Sequence, residues 1–327
     1  MKALVCPELG GEEVLRVEEV PSPPCGPGDV RIGARTAAVN FPDTLVIRGE
    51  YQYRYDPPFV PGHECAGTVL EVGADVDSLA VGDRVLAMSG TGAFAEEVVC
   101  DATGGRNHVF RIPDAMPFDE AAGFDLTYGT AIHGWRRGGL HAGESVLVLG
   151  AAGGCGSAAV QVAKAMGAFV VAAAGGEEKL EVARRCGADA VVDYRTEPVS
   201  QRVKELTGDR GVDVVFDPVG GPDFREYLRS LAWNGRYLVV GFAAGEVPQI
   251  GLNLVLLKSV SIVGVAYGAS ARLDPAANAA DLAQLFAWYD AGLLSPVIGH
   301  RFPLARGGDG MRVLRDRGAL GKVILDI

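Results

Sequence analysis

Ser145-Val146-Leu147-Val148-Leu149-Gly150-Ala151-Ala152-Gly153-Gly154-Cys155-Gly156 decides the reading of the fold. A continuous apolar strand runs into a glycine-rich turn, and the helix that follows extends to Met166 and is stopped by Gly167. This order is the dinucleotide-binding fingerprint with Ala151 at its first glycine. Gly153 lets the backbone approach a pyrophosphate, and Gly156 lets helix pack closely on strand. Ala152, Gly154 and Cys155 complete the loop, whose helix N-terminus offers free N–H groups and a favourable dipole to an anion.

Outward from the loop the rhythm continues. Phe169 to Ala174 reads as a second strand, Glu177 to Cys186 as a helix stopped by Gly187, and Ala190 to Tyr194 as a third strand. Further strands are expected at Val212 to Phe216, Arg236 to Val240 and Ser261 to Val265. Strands apolar on both faces and separated by helices predict a doubly wound parallel sheet of the Rossmann type.

Residues 1 to about 120 look different. Short strands such as Val30 to Ala34 and Gly67 to Gly73 lie between turns, which predicts a mostly antiparallel β-domain. After about residue 268 the pattern changes again. Leu282, Leu285, Phe286 and Tyr289 share a helical face ended by Gly292, and the chain closes in a strand from Lys322 to Ile327. That strand is too short for a domain and is expected to rejoin the first. The expected division is 1–123 and 268–327 for the β-domain, with 124–267 as the nucleotide domain inserted between them.

Composition sets bounds. The chain holds 45 glycines in 327 residues, near twice the usual share of about 7%, which suits tight turns and close backbone approaches. A formal charge of −11 argues against a nucleic-acid partner, which requires a basic face. No apolar run reaches the roughly 18 residues of a membrane span. The N-terminus lacks the apolar stretch of a secretory signal, and six widely spaced cysteines without C-x-x-C point to a reduced cytoplasm.

The end of the second strand selects the nucleotide. An NAD site places an Asp or Glu there for the ribose 2′-hydroxyl, whereas this chain has Ala172-Ala173-Ala174-Gly175-Gly176. Small residues leave room for a 2′-phosphate. Lys179, in the first turn of the next helix, and Tyr194 are the candidate partners of that phosphate, so NADPH is the expected cofactor. Glu177 and Glu178 count against it, and Lys179 also reads as a solvated helix residue.

With these residues placed, the chain resembles the zinc-independent quinone oxidoreductase (zeta-crystallin-like) branch of the medium-chain dehydrogenase/reductase superfamily. The resemblance rests on Ala38 to Asp43, Val60-Pro61-Gly62-His63-Glu64-Cys65-Ala66-Gly67, Gly82 to Val85, Ala151 to Gly156, Asp217 to Gly221, Gly241-Phe242-Ala243 and the ending around Arg317, Gly321 and Lys322. It implies a GroES-like catalytic domain split around a Rossmann domain, a homodimer and hydride transfer from NADPH.

Residue by residue, the resemblance implies Asn40 and Asp43 as a substrate-cleft pair and Tyr51 as a cleft tyrosine, with Tyr53 and Tyr55 competing for that role. Thr127 is implied beside the nicotinamide ribose. Val219, Gly241, Phe242, Val265 and Ala266 are implied in cofactor-facing loops, and Arg317 in reach of cofactor or substrate. Each has a plainer alternative. Asn40 and Asp43 suit a turn cap, clustered tyrosines suit loop packing, and Arg317 suits a helix C-terminus.

Gly62-His63-Glu64 is also what zinc-dependent alcohol dehydrogenases of this superfamily carry at a metal ligand. A catalytic zinc needs about three protein ligands; aligned with that pattern, the first cysteine position holds Asn40 and the second falls near Ala122. No metal is therefore expected, and His63 reads as a hydrogen-bonded histidine. Without a Lewis acid, alcohol oxidation is disfavoured. The expected reaction is hydride delivery to a quinone or activated enone, with Asn40 and Tyr51 as hydrogen-bond donors to the acceptor oxygen. A 2-enoyl-thioester or alkenal reductase is the alternative on the same scaffold, with Arg48, Arg54, Arg136 and Arg137 as candidates for the basic rim that coenzyme A requires. A cofactor-binding protein without strong catalysis is the rival from another class.

Overall fold

In the computed structural model, strands β1 (Lys2–Val5) and β2 (Arg16–Glu19) pair antiparallel, and β3 (Asp29–Val39) then alternates buried and half-buried side chains from Asp29 to Ala34. Alternation of this kind gives a strand one core face. Strands β4 (Glu64–Val72), β5 (Arg84–Met88), β6 (Glu97–Asp101) and β7 (His108–Arg111) follow. Residues 1–103 and 107–327 are described.

The next six strands are β8 (Ser145–Leu149), β9 (Phe169–Ala174), β10 (Ala190–Asp193), β11 (Val212–Asp217), β12 (Leu231–Val239) and β13 (Ser261–Gly264). They form one parallel sheet in the order β10-β9-β8-β11-β12-β13. This is the doubly wound order, with the chain reversing direction of travel at β8. All five residues of β8 are buried, as a strand covered on both faces requires.

Strands β14 (Ile298–Pro303) and β15 (Lys322–Asp326) then return to the β-domain, β15 pairing antiparallel with β3. Its sheet runs β14-β15-β3-β4-β5-β7, with β6 also on β3. Leu4, Ile32, Val69, Val85, Phe94 and Leu325 form part of its core.

The first unit is Met1–Leu126, Ala271–Pro275 and Pro296–Ile327; the second is Thr127–Ser270 and Ala276–Ser295. The placement of residues 276–295 corrects the sequence reading, which grouped them with the β-domain. Their helix, Pro275–Asp290, buries Leu282 and Leu285 completely. Polar anchors hold the segment to the nucleotide-type fold: Tyr267 donates to Asn278 Oδ1 at 2.9 Å, and Ser295 N–H donates to Gln161 Oε1 at 2.6 Å. The change of rhythm near residue 268 marks a new helix rather than a new domain.

Candidate active site

In the second unit, the predicted loop residues gather at the carboxyl ends of neighbouring strands. Gly150 follows β8 with φ +58°, and the helix Gly154–Ala165 starts after Gly153. A Cβ at Gly156 would collide with the carbonyl oxygen of Gly150, so only glycine permits this packing of helix against turn. Ala152 and Gly156 are buried, whereas Gly153, Gly154 and Cys155 are half-buried at the helix N-terminus. Val219 follows β11, Gly241 and exposed Phe242 follow β12, and Val265 and exposed Ala266 follow β13. Asp217 fixes the loop after β11: it accepts from the N–H groups of Val219 (2.8 Å) and Gly220 (2.9 Å) and from the Tyr237 hydroxyl (2.6 Å). Burial raises the Asp217 pKa. In open parallel sheets, ligands bind outside these strand ends.

The turn after β9 shows what composition alone could not. Gly176 has φ +92°, and its N–H donates to Asp193 Oδ2 at 3.1 Å. A Cβ at Gly175 would meet the Tyr194 hydroxyl, and one at Gly176 would run into the Arg195 guanidinium. Lys179 is half-buried one turn along. Sequence reasoning named Lys179, Tyr194 and Gly176 but missed Arg195. The nearby acid, Asp193, also accepts from the Arg195 backbone (3.0 Å) and side chain. Those backbone N–H bonds hold its carboxyl below the usual range. Thr127 is buried in the Asp125–Gly129 turn.

In the first unit, sheet register brings three distant segments together. Ala38 on β3 pairs with Glu64 on β4, and Val39 pairs with Val323 on β15. Asn40, Glu64 and Lys322 therefore meet at one end of the sheet. Lys322 Nζ donates to Asn40 Oδ1 (2.7 Å) and Glu64 Oε1 (2.9 Å). Because an ammonium only donates, the Asn40 carbonyl must face it. The amide hydrogens then go to Glu64 Oε1 (2.9 Å) and the Ala38 carbonyl (3.2 Å). Glu64 Oε2 accepts the Leu126 N–H at 3.0 Å. All three side chains are buried.

Asp43, in the Phe41–Val46 helix, has no exposed surface. Its Oδ2 accepts the Asn40 backbone N–H at 2.7 Å, and its Oδ1 lies 2.5 Å from His63 Nδ1. Burial alone would push the His63 pKa down, but the Asp43 charge and hydrogen bond outweigh it and the pKa is raised. Tyr51 packs edge-on against His63 at 6.0 Å between ring centroids. Tyr55 instead packs on Phe59, and Tyr53 is exposed. Burial raises the Tyr51 pKa.

A second pair, His108 Nε2 and Asp125 Oδ2 at 2.6 Å, lies along the same sheet end, since His108 is opposite Met88 and Met88 opposite Glu64. The His108 pKa is likewise raised, Asp125 overcoming burial. Arg317 is exposed, at φ +57° just past the helix Gly307–Arg315. Among the described residues, no group of three or more His, Cys, Asp or Glu is placed to hold a metal ion, and no helix is long and apolar enough to cross a membrane.

Comparison with known proteins agrees with this architecture. Residues 26–114 match the alcohol dehydrogenase GroES-like domain and residues 154–284 the zinc-binding dehydrogenase domain. Quinone oxidoreductase-like protein 2 of Rattus norvegicus is 38% identical over 100% of this chain and 92% of its own length. Acryloyl-coenzyme A reductase of Sulfurisphaera tokodaii is 31% identical over 99% of each chain. The crystal structure of Escherichia coli quinone oxidoreductase complexed with NADPH superposes with a TM-score of 0.92 at 27% identity, covering 100% of both chains. Two domains in this order, full-length relatives and a shared fold lead to one assignment: the chain belongs to the quinone oxidoreductase branch of the medium-chain dehydrogenase/reductase superfamily.

Proposed function

We propose that this protein is an NADPH-dependent, zinc-independent reductase that transfers hydride to a quinone or activated enone. The observation that carries the reading is the Lys322 ammonium bonded to both Asn40 and Glu64. Where zinc-dependent relatives have their first cysteine stands Asn40, with both amide hydrogens engaged, and their second falls near Ala122, whose side chain has no donor atom. His63 offers one nitrogen where a catalytic zinc needs about three ligands. The buried cation beside Glu64 also repels a second one. The residues present do not fit zinc.

They do fit the dinucleotide. Gly153, Gly154, Cys155 and Gly156 would hold its pyrophosphate, with Val219, Gly241, Phe242, Val265, Ala266 and Thr127 toward the nicotinamide half. Lys179, Tyr194 and Arg195 would hold the 2′-phosphate, the two cations by charge-assisted bonds. Bound, the reduced nicotinamide supplies hydride, and the protein contributes position and electrostatics. Asn40 and Asp43 act as fixed framework rather than as donors to substrate, because their hydrogen-bonding groups are already committed. Tyr51 remains the neutral donor for the acceptor oxygen, and Arg317 an exposed cation for the cofactor.

Steady-state oxidation of NADPH with a benzoquinone, an alkenal and crotonyl-coenzyme A tests this. A quinone or simple enone as the preferred acceptor supports it. Preference for the thioester would favour enoyl-thioester reduction, a reading that the acryloyl-coenzyme A reductase of Sulfurisphaera tokodaii keeps in view. Tight NADPH binding with no acceptor turned over would leave a binding protein.

A homodimer through the free edge at β13 is part of the same reading. Ile262 on that strand is exposed, as are Leu252, Leu256 and Leu257 on the preceding helix. Unpaired edges with apolar cover invite a second copy. Light scattering should give twice the 34.2 kDa chain mass, and Ile262→Asp should return it to one.

A further inference from the structure

The buried network raises a question that the hydride step leaves open: where the proton comes from. Reduction of a quinone by hydride also consumes one proton, and so does reduction of an enone. Asn40 has spent both amide hydrogens, Lys322 is locked between Asn40 and Glu64, and Asp43 and Glu64 accept from internal donors. His63 is different. Nδ1 is taken by Asp43, the backbone carbonyl accepts the N–H groups of Ser89 (2.8 Å) and Gly90, and the ring rests against Tyr51. Nε2 has no hydrogen-bond partner among the described residues, and 13% of the side chain remains exposed. An Asp–His pair that fixes the tautomer elsewhere orients a metal ligand or a catalytic imidazole. Here the other metal donors are missing, so the oriented nitrogen is left for proton chemistry.

We propose that His63 is the proton donor of the reduction and that Asp43 is its positioning residue, an inference that rests on the reductase reading above. As hydride adds its electron pair to the acceptor, the Nε2–H bond breaks and its proton forms the new O–H bond. Quinone, hydride and one proton give the hydroquinone; an enone takes hydride at its β-carbon and the proton on the enolate. Neutral imidazole then regains a proton from water at its exposed edge. The groups facing the ring all bear on its charge. Asp43 from the Phe41–Val46 helix and the neighbouring Glu64, at the start of β4, favour imidazolium, and Lys322 from β15 opposes it. The balance keeps the donor form populated at higher pH than for an ordinary histidine.

The test combines kinetics with NMR titration of the five histidines. The wild-type kcat should fall as pH rises through the raised His63 pKa. In His63→Gln, kcat should drop by about 10²–10⁴-fold, lose that limb and leave the Kd for NADPH unchanged. Asp43→Asn should lower the NMR pKa of His63 and shift the limb with it, which a merely structural role would not do. Added imidazole should restore part of the activity of His63→Gly. A His63→Gln enzyme within twofold of wild type and with the same pH profile overturns the inference alone, as does a wild-type His63 titrating below about 6.5. A wild-type protein that oxidises NADPH with no quinone or enone overturns the reductase reading itself, and this inference with it.

Discussion

The Nζ of Lys322 lies 2.9 Å from the Oε1 of Glu64, although 258 residues separate them along the chain. Both are buried, so the pair depends on mutual neutralisation. Lys322→Met leaves the buried Glu64 carboxylate without its countercharge and should cost about 3–5 kcal/mol of stability. Glu64→Gln in the same chain should recover much of that loss. Thermal unfolding of the single and double variants measures both effects.

Arg195 and Lys179 are argued to hold the phosphate that distinguishes NADPH from NADH. A hydrogen bond to a charged group contributes about 1.5–3 kcal/mol. Arg195→Ala should therefore weaken NADPH binding by about 10–100-fold and leave NADH binding nearly unchanged. Calorimetric titration with both nucleotides checks it, and equal losses for the two would remove Arg195 from the phosphate site.

Gly156→Ala places a methyl group against the Gly150 carbonyl, backbone against backbone. Overpacking of this kind costs about 1–3 kcal/mol. It should also open the turn that receives the pyrophosphate. Melting temperature and NADPH affinity should fall together.

The raised pKa of His63 has a direct consequence for stability. A group whose pKa is higher folded than unfolded stabilises the fold fully below its unfolded value, about 6.5, and loses that contribution as pH rises through the folded one. His108 acts in the same direction through Asp125. In urea unfolding the contribution of each pair should decline as pH rises above about 6.5, and Asp43→Asn should flatten part of that slope. A slope unchanged in Asp43→Asn would mean that the pair does not titrate as described.

Local patterns carried most of the fold. The loop from Gly150 to Gly156, the strands β8 and β9 and the helix stops at Gly167 and Gly187 all follow from neighbours in sequence, where periodicity and glycine placement act. The missed features depend on chain return. Arg195 reaches Gly176 only because β10 pairs with β9. Lys322 reaches Asn40 only because β15 lies antiparallel to β3. Asn40 and Asp43 were recognisable as a pair, but a residue's type does not reveal that its hydrogen bonds are already spent. The Pro275–Asp290 helix was visible, yet its buried face says nothing about which core it joins.

The most direct test of zinc-independent hydride transfer is quinone-dependent NADPH oxidation by protein dialysed against a chelator, with metal content measured on the same sample. The account predicts full turnover at well under one zinc per chain, with NADPH preferred to NADH. Turnover that disappears on chelation and returns with stoichiometric zinc would contradict it.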